Sequence, residues 1–195
     1  MAQHEVTFPI KDPQEILKLR AGDEVPVQGH IIGIRDRTQM RIFDEQVEPP
    51  MDLRGAFLLH TAPNVRKVGE GKYEKICIGT TTSARMVRFT EPLGRRYGVR
   101  AICGKGGFPD EAIEPMHKLG MVYYAIVGGA AALETMQIEE IEEVLWEELM
   151  PECLWKFRVR DFGPLTVGID AHGNSLYHDV QSRAQEKLKE LYARL

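Results

Sequence analysis

Apolar and polar positions follow two different periods along the chain, and together they predict an α/β protein. Short β-branched runs bounded by glycine or proline are typical of buried strands, whereas apolar residues three or four positions apart are typical of helices. The two patterns alternate through the middle of the chain, and further strand-like runs occur near both ends. We therefore predict a mixed sheet, or two sheets, with peripheral helices.

The individual elements follow from these runs. Strands are expected over 5–10, 25–34, 56–60, 73–78, 99–103 and 122–127, and a strand, turn and strand over 155–169. The run 75–78 is typical of a buried strand. Helices are expected over 36–47, 82–93 and 110–119, and a final helix after Asn174 as its N-cap. Two apolar stripes have helical spacing: Ile138, Ile141, Leu145 and Leu149, opposite a row of glutamates, and Leu176, Val180, Ala184, Leu188, Leu191 and Leu195.

Length and composition predict one domain, 1–195, with an ordinary core. The 25 Lys and Arg residues against 29 Asp and Glu give no basic excess, so we expect no nucleic-acid binding. The start, 1–5, has no signal pattern and no apolar run approaches a membrane span, which predicts a cytoplasmic protein away from membranes. The three cysteines, Cys77, Cys103 and Cys153, form no CxxC pair and suit a reducing compartment; we expect buried thiols and no metal ligands.

Two glycine-flanked polar clusters follow strand-like runs and suggest a pocket for a small anion. They are 79–85, Gly-Thr-Thr-Thr-Ser-Ala-Arg, and 104–107, Gly-Lys-Gly-Gly. With Arg35, which follows the strand 25–34, they place three cations after predicted strands: Arg35, Arg85 and Lys105. The Thr/Ser cluster could cap the next helix and leave its first N–H groups free for an anion.

Each of these residues also has a purely structural interpretation. Arg85 would lie in the first turn of a helix, where a cation opposes the dipole, so an anion such as a carboxylate is expected beside it. Lys105 lacks the rest of a Walker motif, and its loop could be a simple sharp turn. Arg35 and Asp36 could form a surface pair, or Asp36 could cap a helix while Arg35 points into a cleft. His60 fits a structural or a site role equally.

The order of these motifs resembles the β subunit of the two-subunit iron-sulfur hydro-lyases, which corresponds to the C-terminal domain of single-chain class I fumarases. L-tartrate dehydratase β subunits belong to the same family. The resemblance runs nearly from end to end, through Gly29 to Arg35-Asp36, Thr81-Thr82-Ser83-Ala84-Arg85-Met86, Gly104-Lys105-Gly106-Gly107, Gly128-Gly129-Ala130-Ala131, Met150-Pro151-Glu152 and 170–176, Asp-Ala-His-Gly-Asn-Ser-Leu.

This resemblance implies a swivelling β/β/α three-layer domain that closes over a partner α subunit carrying a 4Fe-4S cluster. It implies that Arg35, Arg85 and Lys105 bind the carboxylates of a small dicarboxylate, that Thr82 helps to position it, and that Thr81 takes part in proton transfer. Thr81 and Lys105 would be catalytic and the others substrate-binding. The active enzyme would be a hetero-oligomer, with a homodimer as one state of the isolated chain.

The implied reaction is the reversible hydration of fumarate to malate. Dehydration of L-tartrate to oxaloacetate is the close alternative, because 138–144 resembles the tartrate branch whereas 128–131 resembles fumarases. A non-catalytic anion-binding module remains a third interpretation. Three departures from the family pattern affect the substrate preference: Thr80 in place of proline, Gln39 in place of histidine and Ala62 in place of glycine.

Overall fold

The computed structural model describes residues 5–193 and confirms a mixed α/β fold. Seven strands form one mixed sheet in the order β1-β2-β3-β6-β7-β9-β8, and β4 and β5 form a separate hairpin. The strands are β1 Val6–Phe8, β2 Glu24–Ile34, β3 Phe57–His60, β4 Asn64–Gly69, β5 Lys72–Cys77, β6 Ala101–Lys105, β7 Val122–Ile126, β8 Ile138–Leu145 and β9 Leu154–Ile169.

Helices lie between and after these strands. The α-helices are α1 Gln14–Leu17, α2 Asp36–Phe43, α3 Thr90–Tyr97, α4 Ile113–Leu119 and α5 Leu176–Tyr192. Short 3₁₀ helices cover Ala84–Phe89, Asp110–Ala112, Gly129–Ala132, Glu134–Gln137 and Glu147–Leu149. The predicted helix over 82–93 is therefore a 3₁₀ helix followed by an α-helix, and the one over 36–47 ends earlier, at Phe43.

The main sheet closes on itself through β2. This strand pairs in parallel with β3 and antiparallel with β9, and the parallel strands β3, β6 and β7 lead back to β9. Successive side chains of a strand point to opposite faces. One face carries Phe57, Tyr124 and Trp155 in a first apolar cluster, and the other carries Leu58 and Tyr123 in a second cluster beneath α2, α3 and α4.

Four parallel strands end at the same edge of this sheet, because β2, β3, β6 and β7 run in one direction. Arg35 follows β2, His60 ends β3, Lys105 ends β6, and Gly128 lies two residues after β7. Ligands of α/β proteins bind outside the carboxyl ends of such strands. The edge therefore gathers residues that are far apart in the sequence.

The strand predicted over 73–78 is present as β5, but the prediction that the run 75–78 is buried is wrong. Strand β5 belongs to the β4–β5 hairpin, outside the main sheet, and Ile76 is 51% exposed. Within this run only Ile78, just after the strand, is fully buried. A two-stranded hairpin covers only part of its surface, so an apolar run alone did not ensure burial.

The apolar stripe over 138–149 has helical spacing, but most of it is not helical. Residues Ile138–Leu145 form strand β8, which lies beside β9. Its pairing shifts register between Ile138 and Glu140 and again between Ile141 and Glu143. Each register shift adds one residue to β8 relative to β9. Apolar side chains three positions apart in β8 therefore face the same core, and their spacing is the same as in a helix. The glutamates opposite this stripe form ion pairs with Lys156, Arg158 and Arg160 of β9.

The C-terminal region departs from expectation in two ways. Residues 154–169 form one long strand, with register shifts near Val27 in its pairing with β2, and no turn divides it. The last helix is confirmed, but Ser175 and not Asn174 caps it: the Ser175 Oγ accepts the His178 N–H at 3.3 Å.

The N-terminal residues 1–4 and Leu195 lie outside the described range. No helix within 5–193 is long and apolar enough to cross a bilayer.

Candidate active site

The segment 79–85 lies across the carboxyl edge of the sheet and is joined to two strand ends by backbone hydrogen bonds. Thr81 N–H donates to the His60 carbonyl at 2.9 Å, and Lys105 N–H donates to the Thr81 carbonyl at 3.0 Å. Ser83 N–H donates in turn to the Lys105 carbonyl at 3.3 Å. The two predicted clusters are therefore one continuous structure, with Thr81, Thr82 and Lys105 side by side.

The predicted helix cap in this segment is wrong. Ser83 makes no capping hydrogen bond; its Oγ lies 2.9 Å from His60 Nδ1 instead. This contact depends on Gly104, where a Cβ atom would lie 2.0 Å from Ser83 Oγ. The N–H groups of Thr81 and Ser83 are occupied by carbonyls, so they do not bind an anion.

His60 lies beneath the site and is fully buried. Burial lowers its pKa to about 3, and the opposing influences of Asp36, which raises it, and Arg85, which lowers it, are smaller. Its Nε2 has no hydrogen-bond partner among residues 5–193. His60 is thus a neutral residue that supports Ser83, and it does not present a charge at the surface.

Arg85 is held by a carboxylate of this chain. Its Nε and Nη2 each donate to Asp36 at 2.8 Å, Nη2 also donates to Thr81 Oγ1 at 2.9 Å, and Nη1 donates to the Thr82 carbonyl at 3.1 Å. Although partial burial opposes it, hydrogen bonding to Arg85 holds the pKa of Asp36 below its usual value. The anion expected beside Arg85 is therefore Asp36, which lies in the first turn of α2 and does not cap it.

Arg35 points its guanidinium along the same edge. Its Nε lies 3.2 Å from Asp36 Oδ2 and 3.5 Å from Glu152 Oε1. Glu152 also accepts the Arg37 N–H at 2.9 Å, and its carbonyl accepts from the Thr38 hydroxyl, so it is fixed against the start of α2. Within residues 5–193, the two terminal amino groups of Arg35 make no hydrogen bond.

Lys105 supplies the third cation. Its ammonium group has no hydrogen-bond or ion-pair partner within the described range, and its chain passes 3.8 Å from the position that a Cβ at Gly128 would take. The following Gly106 has a φ of +79°, which favours glycine. The Tyr123 hydroxyl donates to the Gly104 carbonyl at 2.8 Å and lies 3.1 Å from the Gly106 carbonyl, and so holds this turn in place.

Thr81 is buried and Thr82 is exposed, so only part of the polar segment faces solvent. Thr80 donates to the Val127 carbonyl at 3.0 Å and connects the segment to the loop after β7. Gln39 is buried in α2 with its Nε2 2.9 Å from Met86 Sδ, and its Oε1 has no partner among residues 5–193. The Ala62 N–H donates to the Gly79 carbonyl at 3.2 Å, so all three departures from the family pattern contact or flank the site segment.

Sequence reasoning missed two parts of this site. Glu152 lay in a recognised motif, but nothing in the sequence connected it to Arg35. The Ser83–His60 pair was also missed, although both residues lie at the ends of predicted elements. Three cations and two carboxylates leave the edge with one net positive charge, which suits the binding of an anion.

The thiols of this chain do not fit an iron-sulfur cluster. Cys103 is fully buried in β6, where burial raises its pKa well above the usual value, and burial raises the pKa of Cys153 to about 12. Cys77 lies on the hairpin. Within 5–193 no three His, Cys, Asp or Glu side chains are grouped so that they could hold a metal ion.

Comparison with known proteins gives the family. The family model described as "Fumarase C-terminus" matches residues 2–180. The L(+)-tartrate dehydratase subunit beta of Escherichia coli strain K12 is 40% identical over 172 residues, 88% of this chain and 85% of the relative. A protein of Methanocaldococcus jannaschii named "Putative L(+)-tartrate dehydratase subunit beta" is 36% identical over 192 residues, 96% of this chain and 98% of the relative.

One relative that is longer than this chain has a fumarase name. A Geobacillus stearothermophilus protein named "Putative fumarate hydratase class I" is 36% identical over 178 residues, which are 91% of this chain but 34% of that protein. The resemblance inferred from the sequence motifs and the hydro-lyase class it implied are confirmed. The chain belongs to the fumarase C-terminus family of iron-sulfur hydro-lyases.

Proposed function

We propose that this chain is the β subunit of a 4Fe-4S-dependent hydro-lyase that interconverts fumarate and malate. The observation that carries the proposal is a pair of cationic groups at one sheet edge that have no partner among residues 5–193: the Arg35 terminal amino groups and the Lys105 ammonium. Arg35 follows β2 and Lys105 ends β6, and β3, whose last residue His60 accepts the Thr81 N–H, lies between them. A dicarboxylate needs two such cations. Family membership supplies the reaction class.

The proposed chemistry is easiest to state in the direction of dehydration. Loss of the proton next to a malate carboxylate builds negative charge on that carboxylate, and a preorganised cation stabilises this charge. The electron pair of the broken C–H bond forms the C=C bond, and hydroxide leaves with the C–O electron pair. The proton and the hydroxide together make water.

Thr81 is the proposed acceptor of this proton. A threonine hydroxyl is a weak base, but a hydrogen bond from a guanidinium favours its ionised form. Arg85 Nη2 makes such a bond to Thr81 Oγ1. Thr82, exposed beside it, is proposed to position the substrate, and Lys105 and Arg35 to hold its carboxylates.

The proposed cluster belongs to a partner α subunit, because the cysteines of this chain do not fit it. When bound there, it supplies a Lewis acid for the departing hydroxide. Residues 1–195 would form one swivelling three-layer domain that closes over this partner; the open edge, with Arg85 42% exposed, supports closure by another surface. We place the enzyme in the cytoplasm, where free cysteines stay reduced.

L-tartrate is the second candidate substrate. The relatives from E. coli and M. jannaschii carry tartrate dehydratase names, and the same cations would hold the carboxylates of tartrate. Tartrate has a second hydroxyl, so its site must also accept a hydroxyl on the carbon that loses the proton. Gln39 and Thr80 differ from the family pattern close to this edge and are proposed to influence the choice.

The test is to co-express the chain with a cluster-bearing α subunit, purify the complex without oxygen, and measure turnover of fumarate and of L-tartrate. We expect fumarate to be hydrated to malate. Tartrate turnover without fumarate hydration would replace the first candidate by the second. If neither reaction occurs and no complex forms, while the isolated chain binds a dicarboxylate, the interpretation as a non-catalytic module replaces both.

A further inference from the structure

The donor pattern of Arg85 limits what this residue can do for a substrate. A guanidinium has five N–H donors. Four are used within the chain: one to each Asp36 oxygen, one to Thr81 Oγ1 and one to the Thr82 carbonyl. Counting partners among residues 5–193, only one donor is left, so Arg85 cannot bind a carboxylate through two parallel hydrogen bonds unless one of these four is broken.

Arg35 shows the opposite pattern. Its Nε faces Asp36 and Glu152, at 3.2 and 3.5 Å, whereas its terminal amino groups make no hydrogen bond within residues 5–193. The side of the guanidinium nearest the backbone is fixed and its outer end is available. One Asp36 carboxylate contacts both arginines and fixes the direction of each.

We propose that Asp36 is a positioning residue of the reaction: it fixes Arg85 so that Nη2 polarises the Thr81 hydroxyl, and together with Glu152 it aims the free end of Arg35 at the substrate. This rests on the proposed hydro-lyase function. In this proposal Arg85 acts on the Thr81 hydroxyl, and the substrate carboxylates are bound mainly by Arg35 and Lys105. Asp36 acts through the arginines and does not touch the substrate.

The chain contains a matched control for this role. Asp44, just after α2, forms the same two-point bridge to Arg88 of the 3₁₀ helix, at 2.8 and 2.6 Å. Both bridges therefore connect α2 to the 3₁₀ helix Ala84–Phe89. Only the Asp36 bridge extends to Thr81 and Arg35, so Asp44→Asn removes an equivalent structural connection without disturbing the site.

The test compares Asp36→Asn with Asp44→Asn in the complex with the cluster-bearing subunit. We expect Asp36→Asn to lower kcat by about 10- to 100-fold, because a misdirected catalytic group costs this much, and Asp44→Asn to leave kcat unchanged. The Kd of succinate, a dicarboxylate with no hydroxyl to lose, should change by less than about threefold, since Glu152 still holds Arg35.

A double-mutant cycle separates positioning from folding. If Asp36 acts through Arg85, then in an Arg85→Ala background the further change Asp36→Asn should lower kcat by less than about twofold. A loss that remains undiminished in this background, or a kcat of Asp36→Asn equal to that of Asp44→Asn, overturns the inference. Failure of the proposed function looks different, because the unmodified complex would then turn over neither fumarate nor tartrate.

Discussion

Two carboxylate–arginine bridges connect α2 to the 3₁₀ helix that follows the site segment, and they differ in what lies around them. Asp44 and Arg88 meet in the open, with 40% and 55% of their side chains exposed. Asp36 is 29% exposed, and its bridge continues to Arg35, Thr81 and, through the Thr81 backbone, Lys105. The same local geometry thus serves surface structure in one place and orders a polar network in the other.

The difference follows from where each bridge meets the sheet. Asp36 lies two residues after the end of β2, at the edge where the parallel strands end, whereas Asp44 follows the last turn of α2, away from that edge. An exposed pair gains little because water already solvates both charges. A pair that shares its donors with a network fixes several groups at once.

The largest expected effect on turnover comes from removing the cations near the Asp36 bridge. Lys105→Ala and Arg85→Ala should each lower turnover of the preferred substrate by at least about 100-fold, as the loss of one preorganised donor does. Arg88→Ala should change turnover by less than about twofold. Steady-state kinetics of the three variant complexes measure this. Near-normal rates for Lys105→Ala or Arg85→Ala would remove that residue from the site.

Arg35→Lys tests whether the free guanidinium end binds substrate. Lysine keeps the charge but loses the planar fork and the Nε that Asp36 and Glu152 hold. We expect KM to rise about tenfold, with a smaller change in kcat. Arg37→Lys is the control, because Arg37, two residues after Arg35, pairs with the exposed Glu45. Equal KM values for the two variants would contradict substrate binding by Arg35.

Near the site, His60 makes the stability of the chain depend on pH. Its folded pKa, about 3, lies below the unfolded value of about 6.5, so the unfolded chain binds a proton that the native chain excludes. Stability should therefore fall as the pH drops from about 6.5 towards 3, by about 1.4 kcal/mol per pH unit for this one group.

The measurement is denaturant unfolding of the chain at pH 7 and pH 5, with and without His60→Asn. The variant should lose less stability between the two values than the unmodified chain. His178 is the control, because Asp110 raises its pKa and its replacement should not flatten the profile. An unchanged pH slope in His60→Asn would mean that this histidine is not held neutral.

The smallest effect is expected from breaking the exposed bridge between Asp44 and Arg88. Asp44→Asn should shift the Tm by less than about 3 °C, because exposed ion pairs contribute little. Differential scanning calorimetry of the variant and the unmodified chain measures this directly. A large shift would show that the 3₁₀ helix depends on this bridge, and Asp44→Asn would then no longer serve as a neutral control.

The spacing of apolar residues along the sequence predicted most helices and strands, because this spacing and the burial of the side chains usually agree. It failed at β8, where irregular pairing with β9 gave strand residues a helical spacing, and at β5, where an apolar run lies on an exposed hairpin. Both failures have one cause. Burial and register depend on the neighbouring strand, and the neighbour is distant in the sequence.

The sequence by itself determined the family, the α/β class and the three cations, because motif order, periodicity and residue type are local properties. Only the tertiary structure decided which groups are free. It placed Asp36 and Glu152 against the two arginines and left Lys105 without a partner among the described residues. Pairing between charges depends on distances across the sheet edge, and those distances exist only once β2, β3 and β6 lie side by side.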